Sequence, residues 1–169
     1  MTDPRQIPLH DEDQHDLGEI DKSNPFSPKG RFTRLSYLAW TFVFTLAAFL
    51  TAFFVAAGFG VDNPESVDST AMNVIAFSFM AALAIPGIIF GIRRLHDTDN
   101  PDYWIILIII PVVSFVLWLY LALKKGSVGH NSFGPHRPTL NWETIAGYLM
   151  IASIALSIVG GIIFMLTAA

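Results

Sequence analysis

The sequence predicts an all-α, polytopic membrane helical bundle of about four transmembrane helices, the third either crossing or re-entering, behind a disordered N-terminal tail. Three observations lead there. Of 169 residues, 53% are hydrophobic and 14% charged, against about 25% charged in soluble domains, and the mean hydropathy is +0.51. Four runs, 35–60, 71–92, 103–123 and 144–169, carry no charged side chain. All four tryptophans and four tyrosines fall at or near the ends of these runs, at Tyr37, Trp40, Tyr103, Trp104, Trp118, Tyr120, Trp142 and Tyr148. That is the distribution of an interfacial aromatic belt, with phenylalanine and aliphatic residues filling the middles.

Residues 1–29 hold seven acidic side chains against Arg5, Lys22 and Lys29, while from Gly30 onward acids and bases are equal, so the net charge of −4 belongs to the tail. Ile7, Leu9, Leu17 and Ile20 are isolated there and form no secretory apolar core. Such a segment buries too little apolar surface to offset its ordering entropy. It reads as a disordered acidic cytoplasmic tail, or as a partner-binding arm.

The first run needs no special pleading as a span, because a helix of that length at 1.5 Å per residue exceeds the roughly 30 Å hydrocarbon core. Ala48, Ala52, Ala56 and Gly60 line one face of it, Gly87 and Gly91 form a GxxxG in the second run, and Ser153, Ser157 and Gly161 line the fourth. Small residues at that spacing let helices approach in lipid. None of the runs alternates as the strands of a β-barrel would.

Charge placement sets the topology. Lys29, Arg31 and Arg34 precede the first run and Arg93 and Arg94 end the second, whereas the loop between holds Asp62, Glu65 and Asp68 without a base. The positive-inside rule puts the N-terminus and the RRLHD segment in the cytoplasm, with the arginines snorkelling to headgroups from a solvated loop. The third run creates a conflict. A full crossing carries Lys124, Lys125 and Arg137 to the outer face, whereas a turn near Pro111 to Ser114 keeps them inside but must bury that turn in protein. A proline is commonly absorbed as a kink, so four crossings, with both termini cytoplasmic, are the expectation.

His96, Asp97, Asp99 and Asp102 match no metal cage by spacing, and no nucleophile accompanies them. The chain has no cysteine, which excludes disulfides and thiolate chemistry. No cofactor is expected. Clustered bases on a cytoplasmic face do attract anionic headgroups. Loop 126–138, rich in glycine and proline, should form a defined turn with His130 and His136 facing solvent.

Three ordered motifs resemble the domain-of-unknown-function 805 family, small bacterial inner-membrane proteins of the YhaH-like kind. They are GRxxRxxY (Gly30, Arg31, Arg34, Tyr37), RRLHD (93–97) followed by Tyr103 and Trp104, and GxxGxNxFGP (Gly126, Gly129, Asn131, Phe133, Gly134, Pro135). The family pattern has a Trp-Trp pair where this chain has Tyr103 and Trp104, and an arginine and an aspartate where it has Ser132 and His136. The resemblance implies a bacterial cytoplasmic-membrane protein, with 30–138 as a membrane domain of three apolar helices and 139–169 as an additional helix. Arg31, Arg34, Arg93, Arg94, His96, Asp97, Asn131, Gly134 and Pro135 form the candidate functional motif. The expected function is that of a non-enzymatic scaffold or regulatory protein, with an oligomeric small-solute transporter or channel as the alternative and a lipid-acting enzyme behind both. Membrane lipids, a second copy or other membrane proteins are the expected partners, and nucleic acid is not.

Overall fold

The computed structural model describes residues 20–58 and 69–168. Four α-helices follow in order: α1 (Arg34–Gly58), α2 (Ser69–Asp97), α3 (Pro111–Leu123) and α4 (Asn141–Thr167), with a 3-10 helix (Asp102–Ile109) between α2 and α3. Among the described residues the only strand-like pairing is an isolated bridge between Asn131 and Gly134. Three segments are long and apolar enough to cross a membrane: Arg34–Val55, Ala76–Asp97 and Asn141–Thr167. The protein is a membrane helical bundle.

Helix ends follow from local chemistry. The Thr33 hydroxyl accepts from the Ser36 N–H at 3.2 Å and caps α1. At the end of α2, Asp99 takes a left-handed φ of 57° and Asn100 N–H reaches the Leu95 carbonyl at 3.0 Å. This is a Schellman stop, which satisfies an otherwise orphaned carbonyl. The Glu143 carboxylate accepts from the Leu140 N–H at 3.0 Å and caps α4.

The third run forms no helix of membrane length. It is broken at Ile110, extended at φ −94° and ψ 111°, between an 8-residue 3-10 helix and the 13-residue α3 begun by Pro111. At about 2.0 and 1.5 Å rise per residue each leg reaches only ~16 to ~20 Å, short of the ~30 Å core. The hairpin begins and ends at one level: Ser127 N–H donates to the Asp97 carbonyl at 2.7 Å, so the chain leaving α3 returns to the end of α2. The third run, expected either to cross or to re-enter, is thus a helical hairpin beside three helices of membrane length. A proline that could have kinked a continuous helix instead starts a new one.

α1 and α4 both lead away from this level and α2 leads back to it. The N-terminal segment and the far end of α4 consequently lie at opposite ends of the bundle, not on one side as expected. The buried apolar core, Phe32, Tyr37, Leu38, Phe90, Leu95, Leu117 and Leu121, gathers at the level where the motifs meet. Away from it the helices expose Phe49, Phe53, Phe77, Met80 and Phe164, as lipid-facing surfaces do.

Small-residue stripes contribute less than their spacing predicts. A Cβ at Gly87, Gly160 or Gly161 would meet nothing within 4 Å, and Gly91 faces Ile105 of the 3-10 helix. Close approach occurs at Gly147 of α4, where a Cβ would stand 3.0 Å from the Leu35 carbonyl oxygen of α1.

Candidate functional site

Asp97, the last residue of α2, is the centre of a buried polar knot. One carboxylate oxygen accepts from Arg31 Nε at 3.3 Å and Nη2 at 3.1 Å, and the other accepts from Arg94 Nη1. The three side chains are almost fully buried. Charges removed from water at this cost persist only when paired and hydrogen-bonded throughout.

Arg31 meets that condition through the loop after α3. Its Nη1 donates to the carbonyls of Gly129 at 2.6 Å and Gly134 at 3.2 Å, and its Nη2 to the Ser127 carbonyl at 2.7 Å and hydroxyl at 2.9 Å. Gly129 and Gly134 have φ of 72° and 115°, in the left-handed region that favours glycine, and this turns their carbonyls toward the guanidinium. Gly126 is required for a different reason: a Cβ there would lie 1.9 Å from the Asp97 carboxylate.

Arg94 closes the hairpin. Its Nε donates to the Leu121 carbonyl at 2.7 Å, Nη1 to Phe32 at 3.3 Å and Nη2 to Lys124. Carbonyls in the last turn of a helix lack intrahelical partners, so Arg94 serves as the C-cap of α3.

Arg93 organises the N-terminal segment. Its Nη1 donates to the Ser23 hydroxyl and to the carbonyls of Asn24, Ser27 and Lys29, its Nη2 to Asp21 at 3.2 Å and the Arg31 carbonyl at 3.3 Å, and its plane stands 4.4 Å over the Phe32 ring. Of the tail expected to be disordered, residues 1–19 lie outside those described, whereas 20–29 form turns on this guanidinium. Burial works against ionisation of Asp21, yet hydrogen bonds from Ser23 and the Arg31 N–H, with the nearby charge of Arg93, hold its carboxyl below the usual range.

His96 points away from Asp97, as adjacent helical residues must. Its Nδ1 lies 3.2 Å from the Gly30 carbonyl, and its ring stacks on Phe133 with centroids 4.0 Å apart. Nε2 is buried without a partner among the described residues. Asn131 donates to the His96 carbonyl at 2.7 Å and the Ser127 hydroxyl at 2.8 Å, and accepts from the Phe133 N–H at 2.9 Å.

Seven of the nine candidate residues therefore meet in one network: Arg31, Arg93, Arg94, His96, Asp97, Asn131 and Gly134. Pro135 is half-buried beside it. Arg34 is exposed, with one long contact of 3.5 Å to the Leu123 carbonyl. The arginines in the last turns of α2 do not snorkel to headgroups as expected, because backbone carbonyls and carboxylates occupy them.

Sequence reasoning missed a second buried centre. Glu143 receives both Arg137 nitrogens at 2.7 and 3.2 Å, the Ser36 hydroxyl at 2.7 Å and Trp40 Nε1 at 2.9 Å, tying α4 to α1. A carboxylate immediately before an uncharged run and six positions after an arginine was its only signal. Among the described residues no three His, Cys, Asp or Glu side chains gather closely enough to hold a metal ion.

Residues 25–135 match the family described as "Protein of unknown function (DUF805)", a segment that contains the whole Arg31–Arg94–Asp97–loop network. Inner membrane protein YhaI of Escherichia coli strain K12 is 30% identical over 60 residues, covering 36% of this chain and 51% of YhaI. Inner membrane protein YhaH of the same strain is 40% identical over 43 residues, covering 25% of this chain and 36% of YhaH. The chain thus spans about half of the one relative and about a third of the other. No solved structure matches.

Proposed function

The chain belongs to the DUF805 family, and from that premise we propose a non-enzymatic scaffold or interaction protein of the bacterial cytoplasmic membrane, its knotted end in the cytoplasm. The relatives named inner membrane proteins support the location. Orientation is supported by the bases: of ten Lys and Arg, all but Arg5 fall at the knotted end. The re-entrant hairpin removes the conflict that a full crossing would create, since Lys124, Lys125 and Arg137 stay with the others.

One observation carries the scaffold reading. A single buried guanidinium, Arg31, binds three carbonyls of loop 126–135 and holds it as a fixed surface whose tip, Val128, is 85% exposed. This apolar residue held out on a pinned loop is the contact that the scaffold reading assigns to another protein. At the centre of the knot, Asp97 is engaged by two guanidiniums. A transporter is disfavoured because the grooves beside α1, lined by Phe44, Ala48, Phe79 and Phe90 on one side and by Leu46, Met150, Ser153 and Ile158 on the other, hold no charged group.

A photo-crosslinking residue at Val128, in living cells, tests this. Discrete adducts that weaken at least about fivefold when Arg31→Ala releases the loop are expected. Solute flux above background in proteoliposomes of the purified protein, with no adduct at Val128, would replace the scaffold reading with transport.

A further inference from the structure

Five bases remain exposed at the knotted end: Lys22, Lys29, Arg34, Lys124 and Lys125. Lys22 and Lys29 close the acid-rich stretch, whose seven carboxylates all precede them in sequence. The other three differ. Arg34 opens α1 and reaches the Leu123 carbonyl at 3.5 Å, where α3 ends. Lys124 donates to the Tyr120 hydroxyl and stands 4.8 Å over that ring, and Lys125 follows it. Among the described residues no carboxylate lies within ion-pair distance of Arg34, Lys124 or Lys125, and residues 124–138 contain no acid.

Their level is fixed as well. Arg34 is the first residue of a membrane-length segment, and Tyr120 packs with Trp104 at 6.2 Å in an aromatic pair suited to the interface. Below them α3 presents Val112, Val116 and Leu123, all strongly exposed and on one face by their spacing. A cationic group at headgroup depth beside an exposed apolar helix face is complementary to one molecule, an anionic phospholipid.

We infer that Arg34, Lys124 and Lys125 form a binding site for the phosphate of an anionic phospholipid, with an acyl chain along the outer face of α3. The re-entrant hairpin builds this site, because only its return brings Lys124 and Lys125 to the start of α1. Of the bases expected from the sequence to meet headgroups, Lys29, Arg31, Arg34, Arg93 and Arg94, only Arg34 takes part, since Arg31, Arg93 and Arg94 are buried. The site requires only that the three long helices span a bilayer, and it stands whether or not the scaffold reading does.

Full-length protein in nanodiscs of equal parts phosphatidylglycerol and phosphatidylcholine, with retained lipid quantified by mass spectrometry after mild extraction, supplies the test. Wild type should enrich phosphatidylglycerol. The pair Lys124→Gln and Lys125→Gln should lower that enrichment about fivefold per lysine, while Lys22→Gln with Lys29→Gln, removing the same charge, should change it by less than about twofold. Equal loss in both double variants, or no preference in wild type, would overturn the site. Millimolar inorganic phosphate stripping the lipid as fully as the lysine substitutions would move the ligand to a soluble anion and overturn the lipid assignment. Should the double variant fail to fold, Lys125→Gln alone, whose side chain holds nothing in the fold, is expected to lose about fivefold, and no loss refutes the site.

Discussion

Asp97 neutralises two guanidiniums that have no water to turn to. Asp97→Ala should therefore cost ~3–5 kcal/mol, the usual result of stranding a buried charge, seen as a large fall in the thermal midpoint in detergent. Arg31→Lys keeps the charge but presents three donors from a point rather than a planar fork. It should lose much of that amount and raise proteolysis within loop 126–135, and wild-type resistance there would remove Arg31 as the pin. Asp21 supplies a pH dependence. Its folded pKa lies below the unfolded value near 3.9, so its contribution is present above about pH 4 and lost as pH falls through the folded pKa. Hydrogen-exchange protection of the Ser23 and Arg31 amides, corrected for intrinsic rates, should fade on that acid side and be absent at neutral pH in Asp21→Ala. The sequence marked Arg31, Arg93, Arg94 and Asp97 as unusual. Their partners are mostly backbone carbonyls 60 to 100 residues away, which no side-chain pattern reveals.

Two helices meet where a glycine and a carboxylate permit it. Gly147 lets α4 touch the backbone of α1, and Glu143, one turn earlier, collects donors from Arg137, Ser36 and Trp40. Gly147→Leu should separate the two helices and lower the thermal midpoint, while Gly161→Leu, at a position open to lipid, should leave it nearly unchanged; equal effects would deny α4 this docking point. Periodicity pointed to Ser153, Ser157 and Gly161 instead, because spacing identifies a small face without identifying the helix that faces it. Trp40 and Trp142 were read as belt residues, and they do lie at a helix end, but they also pack on one another at 5.2 Å around Phe26 and Phe90. Interface and core coincide at this level.

For the molecule as a whole, three spans and a hairpin make a definite topological statement. Reporter fusions after residues 30 and 130 should give the same side, and fusions after residues 66 and 166 the other. Four crossings would instead pair 130 with 66 and 166 with 30. The hairpin turn poses the sharpest physical question, since Ile109, Ile110 and Val112 are exposed around irregular backbone, a feature tolerated at membrane depth only against protein or water.

Apolar run length and the confinement of charge to run ends follow from hydrocarbon as solvent, and both are properties of consecutive residues. They determined the helical class, the three spans, the aromatic levels and the family resemblance without reference to any contact. Whether 103–123 crosses was decided elsewhere. The hairpin is held by Arg94 capping α3 and Arg31 gathering the carbonyls of loop 126–135. Those hydrogen bonds exist only once α1, α2 and the loop have met, so tertiary structure alone folded the third run into a hairpin and buried the arginines that the sequence had placed among headgroups.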